Sequence, residues 1–281
     1  MKKSYPTIVY FFRAYFNSIA LLNKNYAAKQ LVKLFSTPRK RVVRKRETDI
    51  LDQAKQSFFE VNGERVATYE WGSGSKTAIL FHGWESNAGS IGAFVEPLLD
   101  RSYKVVAFDA PAHGNSEGKR SNLLYFKKTA RLIVEQIGVP DIAIGHSLGA
   151  NAIIMLARED NIKIPKVVLI SPLNRLMSVF EEFQQILSLP KGVFKRFIQK
   201  FEEQADYSFN DFYFQSIGKE SPLTQVLLLH DIADQITDFN HSKEMNEAWP
   251  ETQLKPISGS GHYRILWQDK TLETVQEFID Q

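Results

Sequence analysis

The stretch that most limits what this chain can fold into is Asp141-Ile142-Ala143-Ile144-Gly145-His146-Ser147-Leu148-Gly149-Ala150-Asn151-Ala152-Ile153-Ile154. An apolar run passes through Gly-x-Ser-x-Gly into small helix-forming residues, which reads as a buried strand stopped by a tight turn with one hydroxyl at its tip. A reversal this sharp forces the tip residue into a crowded backbone conformation, and glycines at 145 and 149 let strand and helix approach with no Cβ between them. Ser147 is thereby pushed out of the fold. A helix that starts at the serine brings unpaired N–H groups and the positive end of its dipole beside the hydroxyl, where acyl transfer develops negative charge. An ordinary glycine-rich turn between strand and helix can carry the same five residues, so the surrounding pattern has to decide.

That pattern alternates. Residues 58–72 read as two strands around Asn62-Gly63, a strong short hairpin signal. Thr77-Ala78-Ile79-Leu80-Phe81 is a buried strand that ends in His82-Gly83-Trp84, and a helical stretch from Ile91 to Leu99 precedes the strand Lys104–Phe108. The loop Asp109-Ala110-Pro111-Ala112-His113-Gly114-Asn115-Ser116 and a helix from Leu123 to Ile137 lead to the strand before Ser147. Further strands are expected at Lys166–Ser171, Gln225–His230 and Gln253–Ile257, with helices at Ser242–Ala248 and Lys270–Ile279. Near-continuous apolar strands alternating with helices imply an α/β fold whose mostly parallel sheet is covered on both faces.

Residues 173–222 break the alternation. They carry Phe180, Phe183, Phe194, Phe197, Phe201, Phe209, Phe212, Tyr213 and Phe214 on helix-like segments without a visible strand. They are expected to form an inserted helical cap, most of the aromatics being its core and a minority lining a substrate pocket. The expected domains are therefore an N-terminal arm over 1–57, a core over 58–172 and 223–281, and a cap over 173–222.

The arm is set apart by charge. Residues 1–57 hold 13 Lys/Arg against 3 Asp/Glu, while the remainder holds 22 against 29. Ile8, Phe12, Tyr15, Ile19, Leu22 and Tyr26 recur in steps of three and four, which predicts helix broken near Asn23-Lys24-Asn25. Arg13 interrupts the apolar run, leaving no stretch of the ~18–20 uncharged apolar residues that spans a bilayer. Met1-Lys2-Lys3 imitates a signal peptide, but the apolar core is short and no small-residue cleavage site follows, so a cytoplasmic location is expected. The basic stretch Thr37–Arg46 reads as a solvated linker or, with the preceding helix, as a peripheral contact of residues 1–46 with the inner membrane face. Nucleic acid is not expected, because no binding motif accompanies the charges.

A serine needs a base, and the base needs an orienting carboxylate. The chain has no cysteine, which excludes thiolate chemistry and disulfides. Among six histidines, His262 stands in a Gly-rich loop directly after the last strand, at the sheet edge shared with the serine turn. His146 adjoins the serine with its side chain aimed elsewhere, and His82, His113, His230 and His241 sit in other loops or element ends. For the acid, the loop after Val226–His230 offers Asp231 and Asp234. Asp234 is preferred, because Asp231 lies at the strand end and is placed to serve the turn.

His82-Gly83-Trp84, the loop at 109–116, Gly145–Gly149, and Asp234 with Gly261-His262 occur in the order and at the strand ends found in the α/β-hydrolase superfamily, which residues 58–281 resemble. The resemblance implies a Ser147–His262–Asp234 triad, an oxyanion hole from the N–H groups of Trp84 and Leu148, and a structural role for the loop at 109–116, where Ala112 replaces the usual glycine. Thr37-Pro38-Arg39 with His82-Gly83-Trp84-Glu85 also resembles a bacterial subgroup of such hydrolases that carries a basic arm. The expected activity is serine-dependent cleavage of a small-molecule carboxylic ester or thioester, with an apolar acyl or aryl part suggested by the cap aromatics. Acyl transfer, C–C bond hydrolysis or a non-catalytic binding role remain open on the same fold. Neither a metal nor a nucleotide cofactor is expected, since no ligand cluster or Gly-x-Gly-x-x-Gly follows the early strands. The oligomeric state is left open.

Overall fold

The computed structural model describes residues 5–39, 43–205, 208 and 212–281. Met1-Lys2-Lys3, Lys40-Arg41-Val42 of the basic stretch, and Phe209 lie outside the described residues. In chain order the elements begin with α1 (Thr7–Leu22), α2 (Lys24–Phe35), α3 (Lys45–Leu51), β1 (Lys55–Val61), β2 (Glu64–Trp71), β3 (Lys76–Phe81), α4 (Val95–Leu99), β4 (Tyr103–Phe108), α5 (Leu123–Ile137) and β5 (Ile142–His146). They continue with α6 (Leu148–Glu159), β6 (Lys166–Ile170), α7 (Met177–Leu187), α8 (Lys191–Ala205), α9 (Phe214–Lys219), β7 (Gln225–Asp231), α10 (Asn240–Ala248), β8 (Thr252–Ile257), α11 (Gly261–Arg264) and α12 (Asp269–Ile279). The chain divides into two compact units, residues 1–37 with 175–213 and residues 38–174 with 214–281.

The second unit carries an eight-stranded sheet in the order β1-β2-β4-β3-β5-β6-β7-β8. Asn62 and Gly63 both take positive φ, 55° and 80°, which fits the two-residue turn that joins β1 to β2. β2 pairs antiparallel with β4, and every pairing from β4 to β8 is parallel. The chain leaves β3 toward β4 and then returns across β3 to β5. Beyond the carboxyl ends of β3 and β5 it therefore has a switch point, the place where open α/β sheets leave a crevice for ligands.

The central strands are apolar throughout because both of their faces are covered. Ile79, Leu80, Ala143, Ile144, Val167, Val168, Leu228 and Leu229 have no exposed surface. One core gathers Leu80, Ile144, Val168 and Leu227 of the sheet with Phe94, Leu98, Val275 and Phe278 of flanking helices. Helix α3 belongs with this unit for a physical reason. Trp71 Nε1 donates to Ile50 O at 2.9 Å, and the Arg46 guanidinium lies 4.3 Å from the Trp267 ring centre.

The first unit joins the amino-terminal helices to α7 and α8. The break between α1 and α2 falls at Asn23, whose side chain accepts from the Tyr26 N–H at 2.9 Å and so caps α2. α2 packs along α8, and α1 against α2 and α7. Phe35 at the end of α2 stacks on Phe180 at 4.3 Å between ring centres and meets Phe183, Phe197 and Phe201 edge-on. Arg13 donates to Ile186 O at 2.6 Å, while its guanidinium lies over the Tyr5 and Tyr10 rings. The aromatics of residues 175–205 with these contacts are thus the interior of a helical unit that includes α1 and α2, whereas α3 and α9 group with the sheet. Among the described residues, no helix is long and apolar enough to cross a membrane.

Candidate active site

Ser147 stands between β5 and α6 with φ 53° and ψ −121°, a left-handed conformation that a residue with Cβ adopts only under constraint. The constraint comes from the glycines. A Cβ at Gly149 would lie 2.4 Å from His82 O and 2.6 Å from Phe81 O, and one at Gly145 would lie 2.7 Å from the Ala150 Cα. Helix α6 therefore crosses the ends of β3 and β5 at a distance that only glycine allows. The Ser147 N–H is committed to Ile170 O at 2.8 Å, and Ser147 O accepts from Ala150 N at 3.0 Å. Leu148 is the first residue of α6, so its N–H has no carbonyl one turn back to bond.

The loop after β3 lies against this turn. A Cβ at Gly83 would sit 2.9 Å from His146 Nδ1 and 3.2 Å from Ser147 Cβ. His82 is fully buried and bonded at both ring nitrogens: Nδ1–H donates to Gly83 O at 2.7 Å and Nε2 accepts from Ala110 N at 2.9 Å. That pair of partners fixes the neutral tautomer, and burial lowers the ring's pKa to about 4. Because a peptide plane directs its C=O and the following N–H oppositely, drawing the Gly83 carbonyl toward His82 turns the Trp84 N–H the other way.

The next residue, Glu85, also has positive φ, 55°, and Arg39 holds it. The Arg39 N–H donates at 3.0 Å, and its guanidinium spans both carboxylate oxygens at 2.8 and 2.7 Å. Burial opposes the Glu85 charge, and these bonds outweigh it, so the carboxyl is held below its usual range.

The structure brings Asp234 and His262 together. His262 Nδ1–H donates to Asp234 Oδ2 at 2.7 Å, leaving Nε2 as the unprotonated nitrogen of the neutral ring. The rings of His146 and His262 are 4.6 Å apart, and His146 Nε2–H donates to His262 O at 2.8 Å. The residue preceding the serine thus ties the histidine segment to the turn. Asp234 is buried, which works against its charge. Hydrogen bonds from His230 and His262, then the His262 charge and the Ile236 N–H, overcome that penalty and hold the carboxyl far below the usual carboxylate range. Asp231 stabilises the backbone, accepting from Ser260 N at 2.6 Å and Gly261 N at 2.9 Å on one oxygen and from Ala233 N at 2.8 Å on the other.

Asp109 is similarly occupied. Its carboxylate accepts from Tyr69 OH at 2.8 Å, Ala88 N at 2.7 Å and Asn115 N at 2.8 Å, which closes the loop in which Ala112 holds φ 64°. Three contributors were not apparent in the sequence. His230 Nε2 lies 3.5 Å from Asp234 Oδ2 and donates to Thr237 O at 2.9 Å, while the Thr237 hydroxyl reaches both Asp234 at 3.1 Å and His262 Nδ1 at 3.1 Å. The Asp-x-x-Thr spacing of 234–237 is the one local signal that could have shown Thr237. His230 comes in through the fold alone, as does Arg39 on Glu85.

A sequence profile for the alpha/beta hydrolase fold matches residues 77–221, more than half of the chain. A non-heme haloperoxidase of Rhodococcus erythropolis is 29% identical over 48% of this chain and 50% of its own. A bifunctional esterase/perhydrolase of Acinetobacter calcoaceticus is 30% identical over 47% and 49%. The chain spans half or less of the length of these curated relatives. Among solved structures, an esterase of Pyrococcus furiosus superposes with a TM-score of 0.64 at 21% identity, covering 87% of this chain and 96% of that one. With a serine turn between β5 and α6 and a buried Asp–His pair beyond the ends of β7 and β8 of a mostly parallel sheet, the chain belongs to the alpha/beta hydrolase fold family.

Proposed function

We propose that this protein is a serine hydrolase that cleaves a small-molecule carboxylic ester or thioester through an acyl-enzyme. The observation that carries the reading is the 2.7 Å bond from His262 Nδ1 to a buried, ionised Asp234, on a segment tied to the strained turn that presents Ser147. Asp234 fixes the tautomer in which Nε2 can take the Ser147 proton and stabilises the imidazolium that results, remaining ionised itself. The serine oxygen then attacks the carbonyl carbon. The oxyanion is met by the Trp84 and Leu148 N–H groups, and losing one such donor costs about 3 kcal/mol of transition-state stabilisation. His262 returns its proton to the departing alcohol or thiol, then draws a proton from the water that attacks the acyl carbon and gives it to the Ser147 oxygen as the acid leaves.

The Acinetobacter relative is named an esterase as well as a perhydrolase, which supports this reading. The test is turnover of nitrophenyl esters, from acetyl to long acyl chains, by wild type and Ser147→Ala side by side. Activity confined to wild type is expected, and the chain-length profile measures the room for the acyl group. Equal activity in both proteins, or none in either, contradicts the proposal.

A further inference from the structure

Helix α1 presents an outer face that water does not explain. Its exposed positions are Thr7, Ile8, Tyr10, Phe11, Ala14, Tyr15, Ser18, Leu21 and Leu22, and no charged residue is among them. Phe11 is 63% exposed, Leu21 90% and Leu22 88%. A helix on a water-facing surface normally turns charge outward, and a contiguous exposed apolar strip marks an interaction site. The opposite side of α1 is already used, with Phe16 and Ala20 buried in its own unit.

Cations surround the exposed end. The turn between α1 and α2 and the first half of α8 bound a cleft of about 580 Å³ whose lining includes Leu21, Leu22, Lys24, Lys195 and Arg196. The Lys24 ammonium lies close to the start of α8, with Nζ 3.9 Å from where a Gly192 Cβ would stand. Among the described residues, none of Lys24, Lys195 and Arg196 has a carboxylate within 4.0 Å. The first acidic residue in the sequence is Glu47, so nothing on α1 or α2 offsets these charges.

Two exposed leucines at a helix turn, an uncharged aromatic strip behind them and unpaired cations around them match the interface of an anionic bilayer, where apolar side chains enter the acyl boundary and basic ones meet phosphates. With 16 residues α1 extends about 24 Å, short of the ~30 Å hydrocarbon core, so it lies in the interface and does not span it. We infer that the helical unit docks on an anionic phospholipid surface through the outer face of α1, the Leu21-Leu22 turn and the cations of α8. This assignment is independent of the proposed reaction.

The test is cosedimentation of the full chain with phosphatidylcholine vesicles, with and without phosphatidylglycerol, at low and high salt. Wild type is expected to bind only the anionic vesicles and to be weakened by salt. Leu21→Asp with Leu22→Asp should abolish binding. Lys195→Gln with Arg196→Gln should weaken it about thirtyfold while leaving folding and ester turnover unchanged. Because the second pair is surface-exposed, it keeps the test decisive if the leucine variant misfolds. Absence of vesicle binding, equal binding to neutral vesicles, or a lipid-free dimer that the leucine substitutions dissociate would each overturn the inference.

Discussion

Glu85 sits one residue past the proposed oxyanion donor Trp84, in a backbone conformation held by Arg39. Arg39 is largely exposed, and an exposed ion pair contributes little to stability, so its effect belongs to the geometry of the loop. Arg39→Ala should lower kcat by about tenfold with little change in KM, because an oxyanion donor acts mainly in the transition state. Steady-state kinetics on a nitrophenyl ester check this, and a change confined to KM would contradict it. The proposed catalytic residues rest on local pattern: Ser147 on the glycines beside it, and His262 and Asp234 on their places after strands. Thr237 had only its Asp-x-x-Thr spacing as a local signal, whereas Arg39 reaches Glu85 across 46 positions and His230 joins Asp234 through the fold. The role of His82 was hidden for a related reason, since its neutral tautomer depends on an amide 28 positions away.

At the scale of elements, the approach of α6 to β3 and β5 is the feature on which the serine turn depends. Gly149→Ala places a Cβ against two backbone carbonyls that cannot move without shifting β3. The substitution should cost about 1–3 kcal/mol of stability and also reduce turnover. Urea denaturation alongside an ester assay measures both, and unchanged values in either would count against the close approach. Most strands and helices were legible because each central strand is a continuous apolar run and each helix has the matching period. The outer face of α1 was not. Its residues Ile8, Phe12, Tyr15, Ile19 and Leu22 recur at helical spacing, yet the structure buries Phe16 and Ala20 and leaves Ile8, Tyr15 and Leu22 exposed. A helix apolar on nearly every side has no periodicity from which its buried face can be read.

For the whole molecule, buried histidines make stability depend on pH. Burial lowers His82 to about 4; it also lowers His113 to about 3, with repulsion from His82 adding to it. An unfolded histidine protonates near pH ~6.5, so below that the unfolded chain binds more protons than the folded one and stability falls with pH. The loss extends down to about pH 4 for His82, amounting to about 3 kcal/mol from that ring. The depressed Asp234 acts in the same direction at still lower pH, while Asp109, raised by burial, opposes it. Urea midpoints that decline from neutral pH toward pH ~4.5 are expected. A midpoint that is flat or rises toward acid would contradict the buried neutral pair.

The central claim is that Ser147 is an activated nucleophile, and the most direct measurement is a fluorophosphonate reaction followed by intact-mass and peptide mass spectrometry. One adduct, located on Ser147 and absent from Ser147→Ala and strongly slowed in His262→Ala, is the predicted result. An unlabelled wild-type protein, or an adduct on another residue that persists in Ser147→Ala, would contradict the account.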